Sequence, residues 1–271
     1  MIDIHTHLHP PRLFAAIRRW FAERSDWDLG AQPTEPQAVA ASLRAAGVER
    51  FVFCSYAHKP GMARELNAWL AATSRELQRY GMPLGTVHPD DDDPLGDLRA
   101  ALDAGCVGLK LHEDVQRIAA DDPRLDAVYA ELARRNAFVL VHVGPIPWAY
   151  PQREGLARIE RVLGRHPSLD VVVAHFGAPD SAGYLEATAR YRGLHLDTTM
   201  VFAGGSPMGG DTGVAPATIA AHADRILYGT DWPNVPYPYA NERAGLERLQ
   251  LPAAALRAIL RDNAARLLRL A

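Results

Sequence analysis

Along the 271-residue chain, short apolar, β-branched runs alternate with longer amphipathic stretches rich in alanine, leucine and arginine. The short runs read as strands buried on both faces, as parallel sheets require. They lie at 1–7 (MIDIHTH), 49–55, 83–88, 106–112, 137–143, 169–175, 193–199 and 225–231. The amphipathic stretches predict helices at 36–46, 61–80, 94–104, 123–136, 153–165, 180–191 and 214–223, with terminal helices near 241–249 and 253–269. Start signals support several of them, for example Asp122 before Pro123, an N-cap residue followed by a proline at the first helical position. Eight strand-helix units predict a sheet closed into a (β/α)8 TIM barrel. The open doubly wound alternative lacks the glycine-rich phosphate loop it would carry after the first strand. Without an internal repeat, a linker or a composition break, residues 1–271 read as one domain. Two connections are long: residues 8–35, with Trp20, Phe21 and Trp27, predict an inserted helix beside the barrel mouth, and the glycine-rich 200–213 is expected to be mobile.

Polar residues then mark one end of this barrel. His5 and His7 end the first strand as H-x-H, and side chains two apart share a strand face, so both imidazoles can turn to one metal ion. Alone, the pair equally fits two strand-end residues satisfied by hydrogen bonds. The remaining strands change that balance: His112 ends strand four, His142 lies near the end of strand five, His175 ends strand six and Asp231 ends strand eight. These are the C-terminal strand ends where barrel active sites are built. Closure sets strand eight beside strand one, so Asp231 can reach an ion held by His5 and His7 while His142 approaches from across the mouth. Three imidazoles and a carboxylate suit zinc or another borderline divalent metal.

Composition narrows the partners. The hydrophobic share is 48% and the charged share 23%, the usage of a folded globular protein. A net charge of -3 gives no electrostatic reason to bind nucleic acid, and a small-molecule substrate is expected. No long apolar stretch or basic-then-apolar start predicts a membrane span or Sec export. Cys54 and Cys106 each sit in an apolar strand, which fits a reducing cytoplasm and no disulfide. A homo-oligomer is compatible with all of this. Of 29 basic residues only Lys59 and Lys110 are lysines, so they are candidates for positions that want an amine. His58, His88, Arg12, Lys59, Arg153 and the Trp148/Tyr150 loop are possible pocket or substrate contacts. His9 reads as loop, and His166, His195 and His222 as core or surface. Asp90 to Asp93 lack calcium-loop spacing and read as a solvated helix start.

Taken in order, I-D-I-H-T-H, V-G-L-K-L-H, V-L-V-H-V-G, V-V-V-A-H-F-G and L-Y-G-T-D-W-P resemble the amidohydrolase superfamily across essentially the whole chain, particularly the amidohydrolase-2 branch with its hydrolases and decarboxylases. The resemblance implies one catalytic divalent metal on His5, His7, His142 and Asp231. His175 would be a catalytic acid/base or, in two-metal members, a ligand. Lys110 is a possible counterpart of the lysine that bridges two ions, but His112 follows on the same face and nearer the mouth. Lys110 could instead pair with a substrate carboxylate or be a buried structural lysine. One ion is expected rather than two, with Asp231 taking a proton from the attacking water. The implied activity is hydrolysis of an amide, ester or lactone in a small molecule. Its alternative is non-oxidative decarboxylation of an unsaturated or aromatic acid, and a further reading is a non-catalytic barrel that binds a metabolite.

Overall fold

In the computed structural model, which describes residues 1–143, 154–208 and 212–270, eight parallel strands follow one another around a single sheet in chain order. They are β1 (Ile2–His7), β2 (Arg50–Cys54), β3 (Gly81–Gly85), β4 (Gly108–His112), β5 (Phe138–His142), β6 (Asp170–Val173), β7 (Leu194–Asp197) and β8 (Ile226–Leu227). The helices are α1 (Pro11–Arg24), α2 (Pro36–Ala45), α3 (Ala63–Glu76), α4 (Pro94–Asp103), α5 (Glu113–Gln116), α6 (Asp126–Arg135), α7 (Gly155–Arg165), α8 (Ser181–Ala187), α9 (Pro216–Ala221), α10 (Ala240–Arg248), α11 (Ala253–Arg257) and α12 (Asn263–Leu267). Prolines open α1, α2, α4 and α9, where the missing N–H costs nothing, and the Asp93 side chain caps Gly96 at the start of α4. This is the expected TIM barrel. The inserted helix in 8–35 is α1, and the final helical stretch is interrupted by a π-helical turn at Ala258–Asp262. Among the described residues no helix is long and apolar enough to cross a membrane.

Strand alternation builds two layers of core. Val139 and Val141 of β5 and Val171 and Val173 of β6 pack outward under the helices, whereas Phe138, Leu140, Val172 and Ala174 fill the barrel interior with Ile2, Ile4, Val52 and Leu84. The same inward parity, carried one step further up β5, brings His142 to the mouth. In β1 a one-residue register shift between Asp3 and Thr6 intervenes, so Ile2 and Ile4 join the interior while His5 and His7 line the mouth.

Closure involves few ladder pairs. The expected strand at 225–231 is only Ile226–Leu227, and beyond it the backbone hydrogen-bonds directly to β1. Ile4 N–H donates to Tyr228 O (2.9 Å), both Thr230 and Asp231 N–H donate to His5 O (3.2 and 2.8 Å), and His7 N–H donates to Trp232 O (2.7 Å). Gly229 permits the approach, since a Cβ there would lie 2.6 Å from Thr199 Oγ1 and 3.0 Å from His5 Cβ.

Glu242 of α10 ties the segment after β7 to the segment after β8. Its Oε1 accepts from Met200 N–H (3.2 Å) and the Tyr237 hydroxyl (2.5 Å) in a buried position. Burial holds this carboxyl well above the usual carboxylate range despite both hydrogen bonds, so folding favours its protonated form. A raised folded-state pKa of an acid means stability falls as pH climbs from about 4.5, the ordinary value, towards the folded-state value. Glu242→Gln removes that penalty. Its melting temperature relative to wild type, measured by calorimetry, is expected to rise between about pH 5 and pH 8.

Candidate active site

The barrel mouth holds a cavity of about 800 Å³. Its floor is formed by His5 and His7 from β1, Lys110 and His112 from β4, His142 from β5, His175 after β6 and Asp231 after β8. The structure brings together every residue that the sequence assigned to this site. His5 Nε2 and His7 Nε2 both meet Asp231 Oδ1, at 2.9 and 3.0 Å, and Lys110 Nζ lies 2.9 Å from His5 Nε2. Across the floor, His175 Nε2 is 2.9 Å from His142 Nδ1 and 3.9 Å from Asp231 Oδ2. His112 stacks on His142 with ring centroids 3.9 Å apart, and its Nδ1 accepts the Val115 N–H at the start of α5. Among the described residues, the buried Nε2 of His142 has no hydrogen-bond partner.

Two of these groups do not end strands as expected. His175 sits two residues beyond β6 in the turn Ala174–Gly177, with φ +55°, and Asp231 sits four residues beyond β8, with φ +61°. Left-handed backbone is costly for residues with a Cβ, and it persists where the surroundings over-determine it, characteristically at functional sites.

Asp197, at the end of β7, is the contact that sequence reasoning missed. Fully buried, it accepts the backbone N–H groups of His175 (2.9 Å) and Thr199 (3.1 Å) on Oδ1 and meets His5 Nδ1 at 2.8 Å on Oδ2. A carboxylate at the C-terminal end of a barrel strand was the available signal. Cys54, expected in the core, is buried there, but its sulfur lies 3.5 Å from His7 Nδ1, and the donor atoms of His5, His7 and Cys54 fall within 4.8 Å of one another. His9 stacks on His7 and links Ser55 to Asn234 through its two ring nitrogens.

Other candidates separate from the floor. His58 lines the cavity, whereas His88 does not: its Nε2 lies 3.2 Å from the Gln116 carbonyl. Arg12 and Lys59 are exposed and outside the cavity lining. Trp148, Tyr150 and Arg153 lie outside the described residues. His166 meets Asp126, His222 meets Thr188, and His195 faces Asp170, all away from the mouth. The walls are largely apolar, with Trp20, Phe21 and Trp27 on one side and Met200 and Met208 on another.

The electrostatics divide the floor. Burial would lower the His5 imidazole, and Lys110 adds to this, but the Asp231 and Asp197 carboxylates outweigh both and hold it well above its usual value. Asp231, which burial alone would raise, is held well below the carboxylate range by His5, His175 and His7. Burial, with Lys110 and His175 nearby, keeps His112 well below its usual value. Burial and His112 do the same for His142, and burial lowers His175. Burial would raise the Cys54 thiol, but the neighbouring His7 and Lys110 draw it down to about 6.

A family model described as amidohydrolase matches residues 2–270. No curated protein matches the sequence. Several solved structures share the fold over essentially their full length. An uncharacterized TIM-barrel protein from Bordetella bronchiseptica is 24% identical with a TM-score of 0.75, covering 99% of each chain. A protein from Acinetobacter baumannii, titled a probable 2-pyrone-4,6-dicarboxylic acid hydrolase with citric acid bound, is 16% identical with a TM-score of 0.67, covering 99% of each chain. The 5-carboxyvanillate decarboxylase from Novosphingobium aromaticivorans, complexed with manganese and 4-hydroxy-3-methoxy-5-nitrobenzoic acid, is 16% identical with a TM-score of 0.66, covering 99% of this chain and 96% of that one.

Asp197→Ala leaves two buried backbone N–H groups without an acceptor. The expected cost is about 1 to 3 kcal/mol, a fall of roughly 2 to 4 °C per kcal/mol in melting temperature. An unchanged melting temperature would show that this carboxylate does not organise the turn at His175.

Proposed function

Because the chain belongs to the amidohydrolase family, we propose that it is a metal-dependent hydrolase acting on an amide, ester or lactone bond of a small molecule. One observation carries the reading: the convergence of His5, His7, His142, His175 and Asp231 on the floor of the mouth cavity. The donor set fits a divalent cation. Two imidazole Nε2 atoms meet one carboxylate oxygen, and the buried His142 Nε2 is unpartnered among the described residues. His5, His7, His142 and Asp231 would hold one ion, with zinc suited to these nitrogen and oxygen donors. When bound, such an ion supplies Lewis acidity that brings the pKa of water from 15.7 towards about 7.

The protein's own groups supply the proton handling. Asp231 Oδ1 is engaged by His5 and His7, whereas Oδ2 is turned towards His175, so Asp231 is the acceptor for the proton of attacking water. Asp231 passes that proton to His175, whose Nε2 lies 3.9 Å from Oδ2, and His175 returns it to the leaving group. While it carries that proton, the His175 imidazolium stabilises the developing oxyanion. The Lys110 ammonium beside His5 offers a counter-charge for a substrate carboxylate, and the apolar walls suit a planar or unsaturated body. That combination also favours a second reading, decarboxylation of an unsaturated or aromatic acid, with Lys110 meeting the acid and His175 delivering the proton. The resemblance to a 5-carboxyvanillate decarboxylase supports it. A screen of lactones, esters, amides and carboxylic acids against the metal-loaded protein, following acid release and carbon dioxide separately, tests the two readings. Acid release without carbon dioxide is the expected result.

His5→Ala and Asp231→Ala are each expected to remove bound metal and activity together while the barrel stays folded, because mouth residues serve chemistry and the core carries stability. Metal analysis and circular dichroism check this, and full metal occupancy in either variant would overturn that residue's assignment. His175→Asn separates catalysis from ligation. It is expected to retain the metal and to lower kcat by about 10² to 10⁴, the range for losing general acid/base catalysis.

A further inference from the structure

Both imidazoles of the H-x-H pair have a partner on the ring nitrogen that faces away from Asp231, and the two partners differ in kind. His5 Nδ1 meets the Asp197 carboxylate at 2.8 Å, whereas His7 Nδ1 faces Cys54 Sγ at 3.5 Å. The strand pairing fixes the second contact, since His7 and Cys54 are register partners at the ends of β1 and β2. Cys54 Sγ also lies 3.4 Å from the Thr6 carbonyl oxygen, to which a thiol donates. Thr6 and Cys54 are fully buried and His7 is 3% exposed, so water does not compete for these atoms.

We propose that Cys54 is a positioning residue for His7: its sulfur accepts the Nδ1–H hydrogen bond, which fixes the ring and leaves the Nε2 lone pair turned to Asp231 and the metal. The inference rests on the metal-site reading above. A ligating imidazole needs an acceptor on its other nitrogen to set its tautomer and orientation, and such partners affect metal affinity strongly. Sulfur is an acceptor both as thiol and as thiolate, and it is weaker than a carboxylate. The pair is therefore unequal, with His5 the more basic donor and His7 the less.

Two competing roles for Cys54 make different demands. As a simple core residue it packs beside Ile4 and Val52, but an apolar side chain would fill that space without a polar contact to His7. As a metal ligand it is near enough to His5 and His7, but the His7 atom it faces, at 3.5 Å, is Nδ1, whereas the atom that meets Asp231 at 3.0 Å is Nε2.

Zinc affinity measured by chelator competition on wild type, Cys54→Ala and Cys54→Ser tests the proposal, together with absorption spectra of the cobalt-substituted proteins. Cys54→Ala is expected to bind zinc about 10 to 100 times more weakly, the usual effect of losing a partner behind a metal ligand. Cys54→Ser keeps a donor for Thr6 and an acceptor for His7, and it is expected to bind within about threefold of wild type. Wild-type affinity in Cys54→Ala would overturn the proposal, as would Cys54→Ser binding as weakly as Cys54→Ala. So would a sulfur-to-cobalt charge-transfer band in the wild type that is lost in Cys54→Ser, which would make Cys54 a ligand. A wild type that takes up no zinc overturns this inference and the metal-site reading together, whereas equal affinities in all three proteins overturn this inference alone.

Discussion

The seam where the barrel closes governs the rest. Two N–H groups, those of Thr230 and Asp231, converge on the single carbonyl of His5, and His7 returns an N–H to Trp232. These bonds hold β1 against a segment that has already left regular strand geometry, where Asp231 has left-handed backbone and its Oδ1 meets the Nε2 atoms of His5 and His7. The closure of the sheet and the assembly of the site are therefore one event. Asp3 belongs to the same seam, its buried carboxyl accepting from the Thr230 and Tyr239 hydroxyls and from His5 N–H.

Around that seam the floor is a chain of mutually fixed rings. Asp197 holds His5 from behind and the His175 backbone from the side, His175 meets His142, and His142 stacks under His112. No member is placed by its own rotamer preference alone, and the proposed chemistry requires mutual fixing of this kind.

Periodicity made the barrel and most of this floor legible. Short apolar, β-branched runs located each strand to within a few residues, and the polar residues at their C-terminal ends pointed to His112 and His142. Legibility failed where geometry departs from the period. The strand expected at 83–88 lies at Gly81–Gly85, because Pro83 reads as a boundary although its carbonyl still accepts from Val107 N–H. Periodicity carries no information about the positive φ of His175 and Asp231 or the register shift in β1, since each depends on tertiary contacts. Asp197 satisfied the same strand-end rule as the histidines, yet a lone carboxylate in LDTT gives little sign of which neighbours it will serve. Cys54 was read by its apolar surroundings, which are real, and its polar neighbour became visible only through strand register.

One consequence follows from the origin of the walls. Trp20 and Phe21 stand on α1, and Trp27 follows it, in a stretch that adds no strand to the barrel, while every floor group hangs from the sheet or its immediate turns. The floor and this part of the wall thus reside in separable lengths of chain. Descendants of this gene could exchange the residues from α1 to the start of α2, reshaping that wall while keeping His9 and the floor groups it touches.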